Sequence, residues 1–193
     1  MAVKTVQAVI NGVTTTLTYN STSKKYEATI TAPATSSYNN NDGHYFPVTI
    51  KATDEAGNVT TKNDTDATLG SSLQLRVKEK TAPAITITYP TASALIINNK
   101  PAIKWKVTDN DSGVNPDTIG ITIDSGSKVT GSAIVKTAIT GGYDCTYTPT
   151  TALSDGSHTI KIDASDNDGN AATQKSVTFK IDTVRFLTGF FLP

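Results

Sequence analysis

The sequence predicts an all-β protein built from two tandem β-sandwich modules, the first of them reduced. Short runs of alternating apolar residues recur along the chain, and Gly, Asn and Asp cluster between these runs. Residues 48–58 and 160–170 also repeat one pattern, an alternating strand that ends in Asp-x-x-Gly-Asn. A repeat at domain spacing indicates tandem modules rather than one large core.

The first module is predicted to span residues 1–80. The runs on either side of Asn11-Gly12 should form a hairpin, because Asn-Gly is the strongest signal for a two-residue turn. Nothing in this module corresponds to residues 84–107 of the second, so we expect either a reduced sandwich or one that borrows cover from its neighbour. The strands expected here are residues 5–10, 13–19, 25–30, 46–53 and 72–77.

The second module is predicted to span residues 81–184, after a linker that contains Pro and small residues. Ile103, Trp105 and Val107 alternate with lysines, which predicts a half-buried strand with Trp105 at the centre of the core. Seven short strands in roughly 100 residues are typical of a two-sheet sandwich. They are expected at residues 84–89, 103–107, 119–123, 133–135, 143–147, 158–164 and 176–181.

Charge and cysteine content narrow the classes of function. Lys plus Arg number 17 and Asp plus Glu number 17, so no net field attracts nucleic acid. No apolar run in the sequence has the length of a membrane span or the features of a signal peptide, and membrane insertion is not expected. Cys145 is the only cysteine, which excludes an intrachain disulfide, and its surroundings predict a buried, inert thiol.

Two features resemble a known family. One is the Asp-x-Ala-Gly-Asn pattern after an alternating strand at residues 54–58, which returns with Asp in place of Ala at residues 166–170. The other is the junction at residues 81–83 with its counterpart at residues 182–184. Both are similar to the bacterial immunoglobulin-like (Ig-like) repeats of large surface adhesins, biofilm-associated proteins and phage virion proteins. The resemblance implies a β-sandwich that serves as spacer, adhesive arm or virion decoration, without catalysis.

Residues 185–193 depart from that family, whose repeats usually continue with Pro into another module. They form an apolar tail that is too short to span a bilayer. We expect the tail to be disordered or the result of truncation. The alternative is a docking peptide that adds a strand to the edge of a partner's sheet.

An Ig-like chain that starts at Met1 without an export signal is expected to be a structural or adhesive protein of a phage or prophage virion, made in the host cytoplasm. As a display module associated with the tail or capsid, it would contact virion or cell-envelope components, including glycans. The first alternative is a spacer or adhesion fragment of a bacterial adhesin at the cell surface. The second is an accessory carbohydrate-binding module.

Two acidic loops form the candidate metal site. Asp109 and Asp111 follow one predicted strand, Asp166 and Asp168 follow another, and a Gly closes each loop. Calcium is bound by clustered carboxylate and carbonyl oxygens, which such loops can present. The alternative is that these residues only cap tight turns through the backbone, a role that residues 54–58 would fill with fewer carboxylates. No cofactor other than calcium is expected.

The loop around Tyr38 is the candidate ligand-binding site. Tyr38, Asn40, Asn41 and Tyr45 combine aromatic rings, which pack on sugar rings, with amides that hydrogen-bond to sugar hydroxyls. The alternative is a flexible polar loop between two strands.

No catalytic set is predicted. His44 and His158 both stand just before corresponding strands, and this repeated placement indicates a structural role. Ser157 is adjacent to His158, but neighbouring residues of a strand point to opposite faces. The sequence contains no nucleophile elbow, phosphate-binding Gly loop or paired-cysteine metal motif. The chain is therefore not expected to be an enzyme.

Overall fold

The computed structural model describes residues 2–184, in which β-strands account for nearly all regular secondary structure. Within these residues there are fourteen strands and two short 3-10 turns, but no α-helix. The prediction of an all-β fold is therefore confirmed. No helical segment in this range has the length and hydropathy of a membrane span. The chain divides into two compact units, with the boundary between Glu79 and Lys80.

The first unit is a single six-stranded sheet whose strands differ in length. Its strands follow the order β3-β2-β1-β4-β5, and β6 pairs with β4 off this path. Asn11 and Gly12 both have positive φ, at 47° and 78°, as a tight two-residue hairpin turn requires. The strands are β1 (Val3–Ile10), β2 (Val13–Asn20), β3 (Lys25–Glu27), β4 (Phe46–Asp54), β5 (Val59–Lys62) and β6 (Gln74–Leu75).

Three elements of the first unit differ from the sequence prediction. β5 was not predicted, because all four of its residues are exposed and no apolar alternation marks it. β3 ends at Glu27 rather than at residue 30. The strand expected at residues 72–77 shrinks to two residues, since the 3-10 turn Gly70–Leu73 takes up its beginning.

The core of the first unit is small. Its buried apolar side chains are Val6, Ala8, Phe46 and Leu73, whereas Val13 is 64% exposed. A single sheet has no second sheet of the same unit packed against it, so few of its apolar side chains are buried. The first unit therefore has one sheet where the second has two.

We expect the backbone amides of the first unit to exchange with deuterium faster than those of the second. Exchange protection follows the free energy of local opening, which depends on buried apolar contacts. β1 and β13 make a matched comparison, because each lies between two neighbouring strands of its sheet. Hydrogen–deuterium exchange of the whole chain measures this difference. Equal protection of β1 and β13 would contradict it.

The second unit contains two four-stranded sheets. One has the order β10-β13-β14-β8 and the other the order β11-β12-β9-β7. All pairings are antiparallel except that of β8 with β14, which is parallel. The strands are β7 (Ala84–Tyr89), β8 (Leu95–Ile96), β9 (Ile103–Thr108), β10 (Val114–Ile123), β11 (Val135–Ile139), β12 (Gly142–Tyr147), β13 (Gly156–Asp166) and β14 (Lys175–Ile181).

A continuous apolar core fills this unit. Trp105 is 1% exposed and lies opposite Cys145 on β12 and Ile87 on β7. Inward residues of β13 and β14, among them Ile160, Ile162 and Phe179, belong to the same cluster. The predicted central position of Trp105 and the predicted burial of Cys145 are both confirmed.

The second unit also departs from the prediction in places. The strand expected at residues 133–135 is a 3-10 turn, Gly131–Ala133, followed by β11 from Val135. β8 was not predicted, because two residues carry no periodic pattern. β10 is longer than expected and shifts register against β13 between Asn115 and Gly120. The predictions for residues 185–193 lie outside the described residues.

Candidate functional site

The repeated Asp-x-x-Gly-Asn segment forms a turn that is held by its own side chains. Asp166, which ends β13, accepts hydrogen bonds from the backbone N–H of Asn170 at 2.7 Å and from its Nδ2 at 2.7 Å. The N–H of Asp166 donates in return to the carbonyl of Asn170 at 3.1 Å. Gly169 takes the positive φ, 95°, that this turn requires.

The first unit contains the same device. Asp54 accepts from the N–H of Asn58 at 2.8 Å and from its Nδ2 at 2.9 Å, and Gly57 has a φ of 89°. The hydrogen bond from the Asn58 side chain is the main reason that the pKa of Asp54 lies below its usual value. The repeat is therefore a structural clamp between positions 1 and 5 of the turn.

The two copies differ in burial. Asp166 is 1% exposed, whereas the hydrogen bonds of Asp54 lie at an exposed turn. A strand that faces a second sheet carries its last inward residue into the core, and only β13 has such a sheet opposite. The same residues thus have different energetic weight in the two units.

The predicted acidic loops of the second unit do converge in part. Asp109, 7% exposed, uses Oδ1 to accept from the N–H groups of Asp111 at 3.0 Å and Gly113 at 2.8 Å. A carboxylate oxygen of Asp109 lies within 4.8 Å of one of Asp166. The side chain of Asn167 fastens the loops together, because its Nδ2 donates to the carbonyl of Gly113 at 3.0 Å.

Each of these carboxylates already has a role in its turn, as the turn-capping interpretation predicted. Two buried carboxylates at this separation nevertheless repel each other, and a bound cation would relieve that repulsion. Asp111 and Asp168 are half-buried and do not share this grouping. The calcium prediction for these four residues stays a prediction.

The loop predicted to bind a ligand is folded on itself. The ring of Tyr38 stacks on that of His44, with centroids 4.0 Å apart and planes 9° from parallel. The ring N–H of His44, at Nδ1, donates to the carbonyl of Tyr38. Tyr45 donates its hydroxyl proton to Asp64 at 2.9 Å, and this hydrogen bond is the main cause of its raised pKa. Both tyrosines are half-buried.

The two asparagines of this loop are committed to holding it. Asn40 and Asn41 donate through their Nδ2 atoms to the carbonyl of Tyr45, at 2.8 and 2.9 Å. Buried Ser37 ties the loop to the segment after β6, since its hydroxyl accepts from the N–H of Val77 at 3.1 Å. The loop is thus held by hydrogen bonds, and ligand binding by Tyr38, Asn40, Asn41 and Tyr45 stays a prediction.

The buried thiol of Cys145 is a poor nucleophile. Burial is the main cause that raises the pKa of the Cys145 thiol to about 11, so the reactive thiolate is scarce at neutral pH. Ser157 is exposed while His158 is buried, as alternation along β13 predicts.

An open groove of about 450 Å³ lies beside the register shift of β10. Its lining includes Asp117, Lys128, Ala164 and Ala172. Lys128 Nζ lies 3.7 Å from Asp163 Oδ2, so these two lining charges face each other.

Comparison with known families supports the sandwich assignment. Residues 91–183 match the family model of the bacterial Ig-like domain. The match runs from β8 to the end of β14 and covers slightly less than half of the chain. It confirms the resemblance to bacterial Ig-like repeats over these residues. No curated protein sequence has significant similarity to the chain.

Several solved structures are similar at low identity. The fibronectin(III)-like modules of CbhA from Clostridium thermocellum share 18% identity at a TM-score of 0.36, covering 93% of this chain and 78% of that one. Dimeric latent PorU from Porphyromonas gingivalis shares 18% identity at a TM-score of 0.44, and the match covers 72% of this chain and 14% of that one. The titin segment A168169 shares 12% identity at a TM-score of 0.34, and the match covers 92% of this chain and 83% of that one. At these TM-scores the fold assignment rests on the sheets and the family match instead.

Proposed function

We propose that this chain is a non-enzymatic display module of a phage or prophage virion, associated with the tail or capsid, that contacts the cell envelope. The observation that carries the proposal is the bacterial Ig-like sandwich at residues 91–183, whose two sheets enclose one continuous core. Such a core gives a rigid body that holds loops in fixed positions. The Asp side chains at its turns accept hydrogen bonds from the backbone of the same turns, as expected of residues with a structural role.

The mechanism is display of weakly binding loops in many copies. A single loop such as the one around Tyr38 offers one stacked ring pair, which supports only weak contacts. Virions carry structural proteins in multiple copies, and linked weak sites gain avidity when several bind one surface. The envelope component would be a glycan, since sugar rings pack on aromatic faces.

The alternative is a spacer of a bacterial cell-surface adhesin. The close approach of the Asp109 and Asp166 carboxylates favours it, because calcium bound there would stiffen the second unit. A purely carbohydrate-binding accessory module is the third proposal, with Tyr38 and Tyr45 as its binding residues.

Binding of the chain to intact cells and purified envelopes, from Gram-positive and Gram-negative bacteria, tests the adhesive role. We expect saturable binding to one envelope type. If the chain binds none of them, the proposed adhesive role is rejected. Tyr38→Ala should weaken binding, whereas the exposed Tyr19→Ala, outside the loop, should not. An antibody against the chain separates a virion protein from an adhesin. It should label purified virions if the chain is a virion protein, and cell surfaces if it is part of an adhesin.

Chelation tests the metal in the same experiment. If calcium is bound, removing it with EDTA lowers the melting temperature of the second unit, and Asp109→Asn makes the chain insensitive to EDTA. Asn at position 109 keeps the oxygen that caps the turn but loses the charge. Asp117→Asn, at an exposed acid of the same unit, is the matched control. An unchanged melting temperature in EDTA rejects calcium.

A further inference from the structure

His158 lies between two hydrogen-bond acceptors. Its Nδ1 is 2.8 Å from Oδ2 of Asp124, and its Nε2 is 2.8 Å from the carbonyl oxygen of Ser154. A carboxylate and a backbone carbonyl can only accept, so each ring nitrogen must carry a proton to complete its bond. The side chain is nearly buried, at 9% exposure. The geometry therefore requires the imidazolium form of the ring.

The backbone fixes Asp124 in this position. Its Oδ1 accepts from the N–H of Thr159 at 2.8 Å, and its own N–H donates to the carbonyl of Thr159 at 2.7 Å. Burial alone would lower the pKa of His158, but the hydrogen bonds to Asp124 and Ser154 outweigh it and raise that pKa above 6.5. Burial alone would raise the pKa of Asp124, but the hydrogen bonds from His158 and Thr159 outweigh it and lower that pKa below 3.8.

Asp124 is the charged group that faces the ring among the described residues. β14 presents Phe179 to it, with ring centroids 6.0 Å apart. The turn before β13 contributes the neutral carbonyl of Ser154, and the next residue, Asp155, is engaged elsewhere.

That engagement links the turn to the segment after β14. Asp155 Oδ1 accepts from the N–H of Thr183 at 3.0 Å and from its hydroxyl at 2.9 Å. Ser154 and Asp155 are adjacent, so one short turn is held by the His158 ring on one side and holds Thr183 on the other. The His158 ring and Thr183 therefore contact neighbouring residues of the same turn.

We propose that His158 is a pH-sensitive latch that fixes the segment directly after β14. While the ring is doubly protonated, it holds the turn at Ser154, and the turn holds Thr183 through Asp155. When pH rises and Nε2 loses its proton, a ring lone pair opposes the carbonyl oxygen of Ser154 at a distance suited to a hydrogen bond. The turn is then released, and Thr183 loses its fixed acceptor.

The direction of the pH dependence follows from the two shifts. The folded-state pKa of His158 is raised, so its stabilisation is complete below pH 6.5 and is lost as pH rises through the higher folded value. The folded-state pKa of Asp124 is lowered, so its stabilisation is present above pH 3.8 and is lost on acidification below it. The latch is therefore closed between the lowered pKa of Asp124 and the raised pKa of His158. It opens when the pH rises above the latter.

Nuclear magnetic resonance of the ¹⁵N-labelled full chain tests the latch. Below pH 6.5 both ring nitrogens of His158 should show the shifts of imidazolium. The amide resonance of Thr183 should titrate with the same midpoint, which lies above 6.5. His158→Gln should abolish the titration at Thr183, whereas His44→Gln should leave it unchanged. A neutral ring below pH 6.5, or a Thr183 amide that does not follow His158, would overturn the proposal.

A second variant covers the case in which His158→Gln fails to fold. Asp124→Asn keeps an oxygen for the N–H of Thr159 and removes the charge next to the ring. It should move the midpoints of His158 and Thr183 down together. If only the His158 midpoint moves, the ring is not coupled to Thr183, and the latch is rejected.

Discussion

Trp105→Ala is expected to lower the free energy of unfolding of the second unit by about 4 kcal/mol, a loss typical of removing a buried Trp. The side chain is 1% exposed and belongs to the core cluster between the two sheets. Val135→Ala on β11 is the control, since Val135 is 64% exposed and should change stability by no more than about 0.5 kcal/mol.

Trp105→Phe should cost roughly half as much as Trp105→Ala or less. Among the described residues the buried Nε1 of Trp105 has no hydrogen-bond partner, so Phe removes an unsatisfied donor while it keeps most of the ring volume. Equal losses for Phe and Ala would contradict this account.

The thiol of Cys145 gives a readout that is specific to the second unit. It is the only cysteine of the chain and is buried opposite Trp105. A thiol reagent therefore labels it when this unit opens, whatever the state of the first unit. Labelling across a urea series yields the stability of each variant without using the fluorescence of the substituted Trp.

Asp166→Ala is the second large effect, and we expect a loss of about 3 kcal/mol, because two donors of Asn170 are left without their acceptor at a buried turn. Asp166→Asn should lose less, since its side-chain oxygen can still accept from the backbone N–H. Cys145 labelling measures both variants.

Asp54→Ala provides the matched comparison within the same chain. The hydrogen bonds to Asn58 have the same pattern, but this turn is exposed and water can replace the lost acceptor. We expect a much smaller change, measured by circular dichroism of the whole chain. Losses of similar size at both copies would show that burial does not set the energetic weight of this clamp.

Features with a local periodic signal could be predicted from the sequence. Alternation around Trp105 marked β9 and its buried face, and Asn11-Gly12 marked the first hairpin. The turn-capping alternative for the repeated Asp-x-x-Gly-Asn pattern agrees with the hydrogen bonds of the turn, because Asp, Gly and Asn act there over five consecutive residues.

Features that depend on distant residues could not be predicted in this way. β5 and β8 become strands through pairing, since neither has an alternating pattern of its own. His158 was placed in a structural role, but its partner Asp124 is 34 positions earlier and no motif connects them. The asparagines around Tyr45 could be predicted as hydrogen-bonding groups, but not as groups already used by the loop.

The parallel pairing of β8 with β14 sets the direction in which a pull along these strands loads their hydrogen bonds. β8 lies near the start of this unit and β14 at its end, and three backbone hydrogen bonds join these segments, from Ser93 to Thr178, from Lys180 to Ala94 and from Asp182 to Ile96. A tension that draws the two ends apart acts along parallel strands, so it shears these bonds together instead of unzipping them one after another. Pulling β8 and β14 apart along their axes therefore requires these three bonds to break together.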